Sequence, residues 1–72
     1  MMDKFGITPS QLKILRYLQT YYKKKAYMPT IREITSAMGF TAPSATVEKL
    51  NSLQKKGYIE RKKNEARAIK IL

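Results

Sequence analysis

Apolar residues recur every three or four positions through the first third of the chain, which is the spacing of one face of a helix. A helix is predicted over residues 9–25, because Thr8 and Gln11 match a capping box and Pro9 suits the first helical position. Its apolar face consists of Leu12, Leu15, Leu18 and Tyr22, broadened by Ile14, Tyr17 and Tyr21. At this spacing the tyrosines are interpreted as core or core-edge residues rather than base-stacking ones.

A second, shorter helix follows a proline-containing connection. Thr30 and Glu33 match another capping box, in which the hydroxyl accepts from one backbone amide and the carboxylate from the other. Ile34 and Met38 lie four positions apart and predict a buried stripe. Gly39 can adopt the positive φ that ends a helix, so the segment is predicted to stop there.

The third helix is predicted over residues 43–56. Pro43 suits its first position, and Gly57 ends it after two lysines that favour the negative end of the helix dipole. A helix, a turn containing glycine and a second helix form the helix-turn-helix arrangement, in which the second helix enters the major groove of DNA.

The third helix divides into two faces at about 100° per residue. One narrow sector must face the core, and it contains Thr46, Leu50 and Leu53. The opposite side is polar and small, with Val47 and Ala45 at its flanks and Ser44, Glu48 and Asn51 at its centre. Such residues allow close approach to base edges, where Ser and Asn form hydrogen bonds, Glu accepts from cytosine and Val or Ala contacts a thymine methyl.

After Gly57 the pattern changes from a helical period to alternation. Strands are predicted over residues 58–62 and 67–71, with the two isoleucines of the second strand on one face. Residues 63–66 form the predicted loop, in which Asn64 best tolerates a left-handed conformation. The fold class is therefore mainly α with a small antiparallel β-hairpin, a three-helix winged helix-turn-helix that forms a single domain over residues 1–72.

Charge and composition narrow the chemistry. The chain carries 15 Lys and Arg against 5 Asp and Glu, a formal net charge of +10, which favours a polyanionic partner. It contains no cysteine and no histidine, so we expect no metal, no cofactor and no catalytic residues. No apolar run approaches the ~20 residues of a membrane span, and no secretory signal is expected.

A long motif resembles a known family. Met28-Pro29-Thr30, Glu33-Ile34, Gly39-Phe40 and Pro43, followed by a helix and Lys56-Gly57, are similar to the N-terminal DNA-binding domain of the LexA-type SOS repressors. The resemblance extends from about Ile7 to Leu72. It implies a winged helix that binds operator DNA as a pair and represses transcription. It also implies base contacts at Ala42, Ser44, Ala45, Val47 and Glu48.

This sequence departs from the family pattern at two places. Family members often carry Asn and Glu where Ser44 and Val47 stand here. The self-cleaving Ser/Lys module and the Ala-Gly cleavage site that usually follow are expected to be absent.

The basic residues are expected to contact phosphates, which positions a protein on DNA without reading sequence. The residues predicted for this role are Arg32, Lys49, Arg61, Lys62, Lys63 and Arg67. For Lys55 and Lys56, capping and solubility are at least as good an explanation. Lys23, Lys24 and Lys25 are interpreted as a solvated helix end.

The leading hypothesis is a sequence-specific repressor that acts on double-stranded DNA in the cytoplasm of a bacterium or in a phage-infected cell. The protein is expected to be a weak monomer in solution that pairs only on palindromic operators, because no apolar face remains and the charge is repulsive. A winged-helix protein-interaction module is the alternative. An enzyme and a binder of heparin-like polyanions or membranes are the other classes considered.

Overall fold

The computed structural model describes residues 6–62 and 67–72. Within these ranges the chain forms three helices, α1 (Pro9–Lys25), α2 (Ile31–Met38) and α3 (Pro43–Lys55). Two short strands follow, β1 (Ile59–Arg61) and β2 (Ile69–Ile71), which pair antiparallel. Residues 59–62 and 67–72 are called the wing from here on. The predicted fold class, a mainly helical winged helix-turn-helix, is confirmed.

Both predicted capping boxes are present. At α1 the Thr8 hydroxyl accepts from the Gln11 amide at 3.2 Å, and the Gln11 side chain accepts from the Thr8 amide at 3.2 Å. At α2 the Thr30 hydroxyl accepts from the Glu33 amide at 3.1 Å, and the Glu33 carboxylate accepts from the Thr30 amide at 2.8 Å. Each box satisfies two amides that have no partner inside the helix, so the starts of α1 and α2 are determined locally.

The helix ends use left-handed residues. Gly39 has φ 76° and Gly57 has φ 88°, as the predicted stops require. In each case the amide of the following residue bonds back to the helix, that of Phe40 to the Thr35 carbonyl and that of Tyr58 to the Leu53 carbonyl. The end of α1 differs, because Ala26 has φ 65° there although it carries a Cβ.

The core lies between the three helices and the inner face of the wing. Its buried apolar residues are Ile14, Leu15, Leu18, Met28, Ile34, Leu50, Leu53, Ile59 and Ile69. Met38 is half-buried against this core. On α1 the prediction was wrong for Tyr22, which is 52% exposed. Residues 22–27 are all exposed, because the last turn of α1 extends beyond the elements that pack on it.

The two strands of the wing are shorter than predicted. Ile59 pairs with Ile71, Glu60 with Lys70 and Arg61 with Ile69, and the isoleucines of β2 share the inner face as predicted. Arg67 does not belong to β2, because its φ of 62° is left-handed and incompatible with an extended strand. The predicted loop of residues 63–66, with Asn64 and Lys63, lies outside the described residues.

Candidate nucleic-acid interface

Helix α3 has the two faces that the sequence predicts. Thr46, Leu50 and Leu53 are fully buried. Of the residues predicted to read bases, three are exposed and three are half-buried: Ser44, Glu48 and Asn51, and then Ala42, Ala45 and Val47. Small side chains therefore flank the polar ones on a surface that a base edge can approach.

The orientation of α3 on α2 is fixed by a buried polar contact. The Thr35 hydroxyl donates to the Ile31 carbonyl at 2.7 Å and lies 2.6 Å from the Thr46 hydroxyl. A hydroxyl has one hydrogen, so Thr46 must donate to Thr35. Both threonines are buried, and such a satisfied pair allows one relative placement of the two helices.

The N-terminus of α3 differs from the starts of α1 and α2. Ala42 occupies the N-cap position in an extended conformation and offers no side-chain acceptor, while Pro43 has no amide hydrogen. The positive end of the helix dipole is therefore not neutralised by a side chain of the cap, which favours an anion such as a phosphate nearby.

Arg61 is half-buried between the wing and α3. Its Nη2 donates to the Asn51 Oδ1 at 3.2 Å, and its Nε is buried with no partner among the described residues. The Asn51 oxygen accepts this bond, and both hydrogens of its amide group remain as donors for a ligand on this face.

Arg67 is exposed, but its guanidinium contacts other parts of the protein. Its guanidinium donates to the Met28 carbonyl at 3.0 Å and to the Glu33 carboxylate at 3.2 Å, and its Cζ lies 4.7 Å from the centre of the Tyr27 ring. No pattern in the sequence indicated these partners, which lie 34 to 39 positions away for the two hydrogen bonds. That Arg67 binds phosphate stays a prediction, and this geometry does not favour it.

The other basic residues divide between surface and structure. Arg32 and Lys62 are exposed and Lys49 is half-buried, whereas Lys63 lies outside the described residues. Lys56 donates to the Gly6 carbonyl at 2.9 Å and to the Gln11 side chain at 2.8 Å, so it links the end of α3 to the start of α1. This link differs from both roles considered for Lys56, since it neither caps α3 nor leaves the ammonium group to solvent alone.

A shallow groove between α3 and the wing was not part of the predicted site. Its lining is mostly polar and basic, with two apolar residues at its base: Gln54, Glu60, Arg61, Lys62, Lys70, Ala68 and Ile69. Alternation on the wing could have indicated Lys70, because it occupies the outward face next to Ile69 and Ile71. Across the described part of the chain, no helix combines the length and apolarity needed to cross a membrane.

Comparison with known proteins places this geometry in a family. The family model described as LexA DNA binding domain matches residues 4–68. LexA repressor of Frankia alni is 37% identical over 70 residues, which is 97% of this chain and 28% of that protein. LexA repressor of Thermobifida fusca is 38% identical over 69 residues, covering 96% of this chain and 27% of that protein. LexA repressor of Mycobacterium leprae is 36% identical over 66 residues, covering 92% of this chain and 28% of that protein. The chain thus spans little more than a quarter of the length of these relatives.

Proposed function

This chain belongs to the LexA DNA binding domain family, and we propose that it binds double-stranded DNA sequence-specifically and represses transcription. The observation that carries the proposal is the outward face of α3. That face is small and polar, is held on α2 by the Thr35–Thr46 contact and belongs to a chain with a net charge of +10. A repressor of this type acts by occupying operator DNA with α3 in the major groove and the wing on the phosphate backbone.

Base reading is assigned to the exposed face of α3. Glu48 accepts from a cytosine amino group, Val47 and Ala45 contact thymine methyls, and Ser44 donates to or accepts from a base edge. Ala42 allows the start of the helix to approach the groove floor. Asn51, whose oxygen is bonded to Arg61, donates its amide hydrogens to a base acceptor or a phosphate.

Phosphate binding is assigned to basic side chains at the rim of this face. Arg32 lies at the start of α2, Lys49 on α3 and Lys62 directly after β1. Arg61 presents its guanidinium at the junction of β1 and α3, and Lys63 follows Lys62 in the chain. These contacts position α3 but carry no base preference.

We expect two copies to bind one palindromic operator, with half-sites about one helical turn apart. The free chain is expected to be a weak monomer in the bacterial cytoplasm, because two chains of charge +10 repel until DNA neutralises them. Sedimentation at high micromolar concentration tests this expectation, and a stable dimer without DNA would contradict it. The alternative of a protein-interaction module is not favoured by the relatives, all of which are repressors by name.

Selection of binding sites from random duplexes tests base reading. The wild-type chain should select a consensus, and Glu48→Ala should lose preference at one position, worth about 1–3 kcal/mol of discrimination. Ser44→Ala and Val47→Ala should each change a different position. A consensus that stays the same in all three variants, or no consensus at all, would contradict the proposal.

A salt titration tests the phosphate contacts separately. Lys62→Ala should weaken binding to every duplex alike and flatten the log–log salt dependence by about 0.9, the contribution of one phosphate. Lys24→Ala is the matched control, because it removes the same charge from the end of α1 rather than from the wing or the helix-turn-helix. Equal slopes for the two variants would exclude Lys62 as a phosphate contact.

A further inference from the structure

The guanidinium of Arg67 joins the wing to α2 and to the connection between α1 and α2. Nη1 donates to the Met28 carbonyl at 3.0 Å and to Glu33 Oε1 at 3.2 Å, while Nη2 lies 3.5 Å from Glu33 Oε2. The Tyr27 ring covers one face of the guanidinium at 4.7 Å. The fork of Arg67 is therefore matched by a carboxylate, a carbonyl and an aromatic ring, a combination that a lysine cannot satisfy.

Tyr21 completes this set without competing for it. Its hydroxyl donates to Glu33 Oε1 at 3.3 Å and lies 3.5 Å from Nη1 of Arg67. An Nη group has two hydrogens, so Met28 and Glu33, at shorter distances, take both. Tyr21 also packs its ring at 5.9 Å from Tyr27, which supports the ring beneath the guanidinium.

The backbone of Arg67 supports the same interpretation. Its φ of 62° is a conformation that a residue with a Cβ adopts at a cost, and that glycine adopts freely. A strained residue persists where its surroundings determine its position. Here those surroundings include the hydrogen bonds of the side chain to the Met28 carbonyl and the Glu33 carboxylate.

Glu33 places the far end of this link on the helix-turn-helix. Its Oε1 also accepts from the Thr30 amide in the capping box at the start of α2. The wing also packs Ile59 and Ile69 into the core that the three helices share, and Arg61 bonds to Asn51 on α3. Arg67 adds hydrogen bonds to α2, and polar contacts on both helices restrict the rotation of the wing more than a polar contact on α3 alone.

We propose that Arg67 is a positioning residue, which holds the wing at a fixed angle to the helix-turn-helix so that both reach one duplex together. It acts through Glu33 and Tyr27 and does not itself bind phosphate. The inference rests on the proposed DNA binding. Its effect on affinity is that of preorganisation, because the wing is ordered before it meets the DNA.

Two conservative substitutions separate positioning from phosphate binding. Arg67→Lys keeps the charge, so a phosphate contact would survive, but it removes the two-pronged bond to Glu33. Glu33→Gln removes a negative charge, so general electrostatics would strengthen DNA binding, whereas loss of the link weakens it. Glutamine still accepts from the Thr30 amide, as Gln11 does from Thr8 in the other capping box. Arg16→Lys, at an exposed position of α1, is the matched control.

The experiment measures affinity for the selected operator across a range of salt, corrected for the folded fraction of each variant. Arg67→Lys and Glu33→Gln should each weaken binding roughly tenfold without changing the salt slope, and Arg16→Lys should match the wild type. In the Lys62→Ala background, Arg67→Lys should weaken binding less than it does in the wild type, because the phosphate contact that a misplaced wing would lose is already absent. Strict additivity would mean that Arg67 does not act through the wing.

A second measurement needs no DNA. Residual dipolar couplings of backbone amides report the orientation of the wing relative to the three helices in the free chain. The wild type should fit one rigid orientation, and Arg67→Lys should reduce the couplings of residues 59–62 and 68–72 while leaving those of the helices unchanged. If the wild-type chain selects no operator, the proposed function fails, and the couplings still decide whether Arg67 orders the wing.

Several results would overturn the inference. Wild-type affinity in Arg67→Lys with a flatter slope in Arg67→Ala would make Arg67 a phosphate contact. Tighter binding by Glu33→Gln would mean that Glu33 restrains a DNA-binding arginine. Losses that disappear after correction for folding, or wing couplings that stay unchanged in Arg67→Lys, would leave Arg67 a stabilising residue alone.

Discussion

The helix-turn-helix and the wing are held in place by different kinds of contact. Between α2 and α3 the contacts are short and close in sequence: a glycine turn and the buried pair Thr35–Thr46. The wing buries Ile59 and Ile69, but its polar attachments are long arginine side chains at the surface, from Arg61 to Asn51 and from Arg67 to Glu33. The first kind resists change because buried polar partners have no alternative, whereas the second exchanges with water and salt.

The difference bears on which side chains are available to the proposed DNA ligand. On the outward face of α3, Ser44 and Glu48 are exposed and form no described side-chain hydrogen bond. On the wing, Arg61 and Arg67 both form hydrogen bonds to other residues of the fold. A basic residue near a binding surface is therefore not by itself a phosphate contact, and its intramolecular partners decide how much of it is available.

The largest effect is expected at the turn between α2 and α3. Gly39→Val should lower the free energy of unfolding by about 1–3 kcal/mol, because a β-branched residue at φ 76° is strained. A Cβ at Gly39 meets no atom within 4 Å, so the loss measures backbone strain rather than a clash. Gly6→Val is the control, since Gly6 is equally open and has no positive φ. Equal thermal melts of the two variants would show that the turn tolerates any residue.

The next effect tests the buried pair. Thr35→Val leaves the Thr46 hydroxyl buried without its acceptor and should cost about 1–2 kcal/mol. Thr46→Val should cost less, because Thr35 still donates to the Ile31 carbonyl. Chemical denaturation of both variants checks the order of the two losses. The reverse order would mean that Thr46, not Thr35, accepts the shared hydrogen.

The helix-turn-helix could be predicted from the sequence because the interactions that form it are local. Capping boxes, the glycine at position 39 and Pro43 act on neighbours within four residues, and the burial of Thr46, Leu50 and Leu53 follows from helical geometry alone. The same reasoning fails where partners are distant. Tyr22 continues the apolar spacing of α1 but is more than half exposed, and Arg67 meets Glu33 and Met28 only once the chain has folded.

A smaller effect measures what a left-handed backbone conformation costs at a residue with a Cβ. Ala26 and Arg67 are the described non-glycine residues with positive φ, and Ala26 has no long side chain to offset the cost. Ala26→Gly should raise the free energy of unfolding by about 0.5–1 kcal/mol, which is relief of strain less the added freedom of the unfolded chain. The value, read from denaturation midpoints at constant slope, estimates what the contacts of Arg67 must offset. A loss of stability would show that neither residue is strained.

The smallest effect concerns the dependence of stability on pH. Glu33 contributes to it through contacts with both regions, Thr30 in the helix-turn-helix and Arg67 in the wing. The pKa of Glu33 is lowered, first by the hydrogen bond from the Thr30 amide, opposed by partial desolvation, and then by the charge of Arg67. A carboxyl whose pKa is lower in the folded state stabilises the protein above its ordinary pKa, and this contribution is lost as the pH falls through the folded value. Stability should therefore decrease on acidification below about pH 4.5, the ordinary range of this side chain, and Glu33→Gln should flatten that decrease.

The relative sizes of the Thr30 and Arg67 contributions to the pKa of Glu33 can be tested by mutation. Because the Thr30 amide belongs to the helix-turn-helix and Arg67 to the wing, Arg67→Ala should raise the pKa of Glu33 only part of the way to its ordinary value. An NMR titration of the Glu33 carboxyl carbon in both chains measures the two contributions directly. A pKa that returns fully to its ordinary value in Arg67→Ala would mean that the wing, rather than the capping box, holds the charge of Glu33. The local contacts of α2 would then depend on the long-range link.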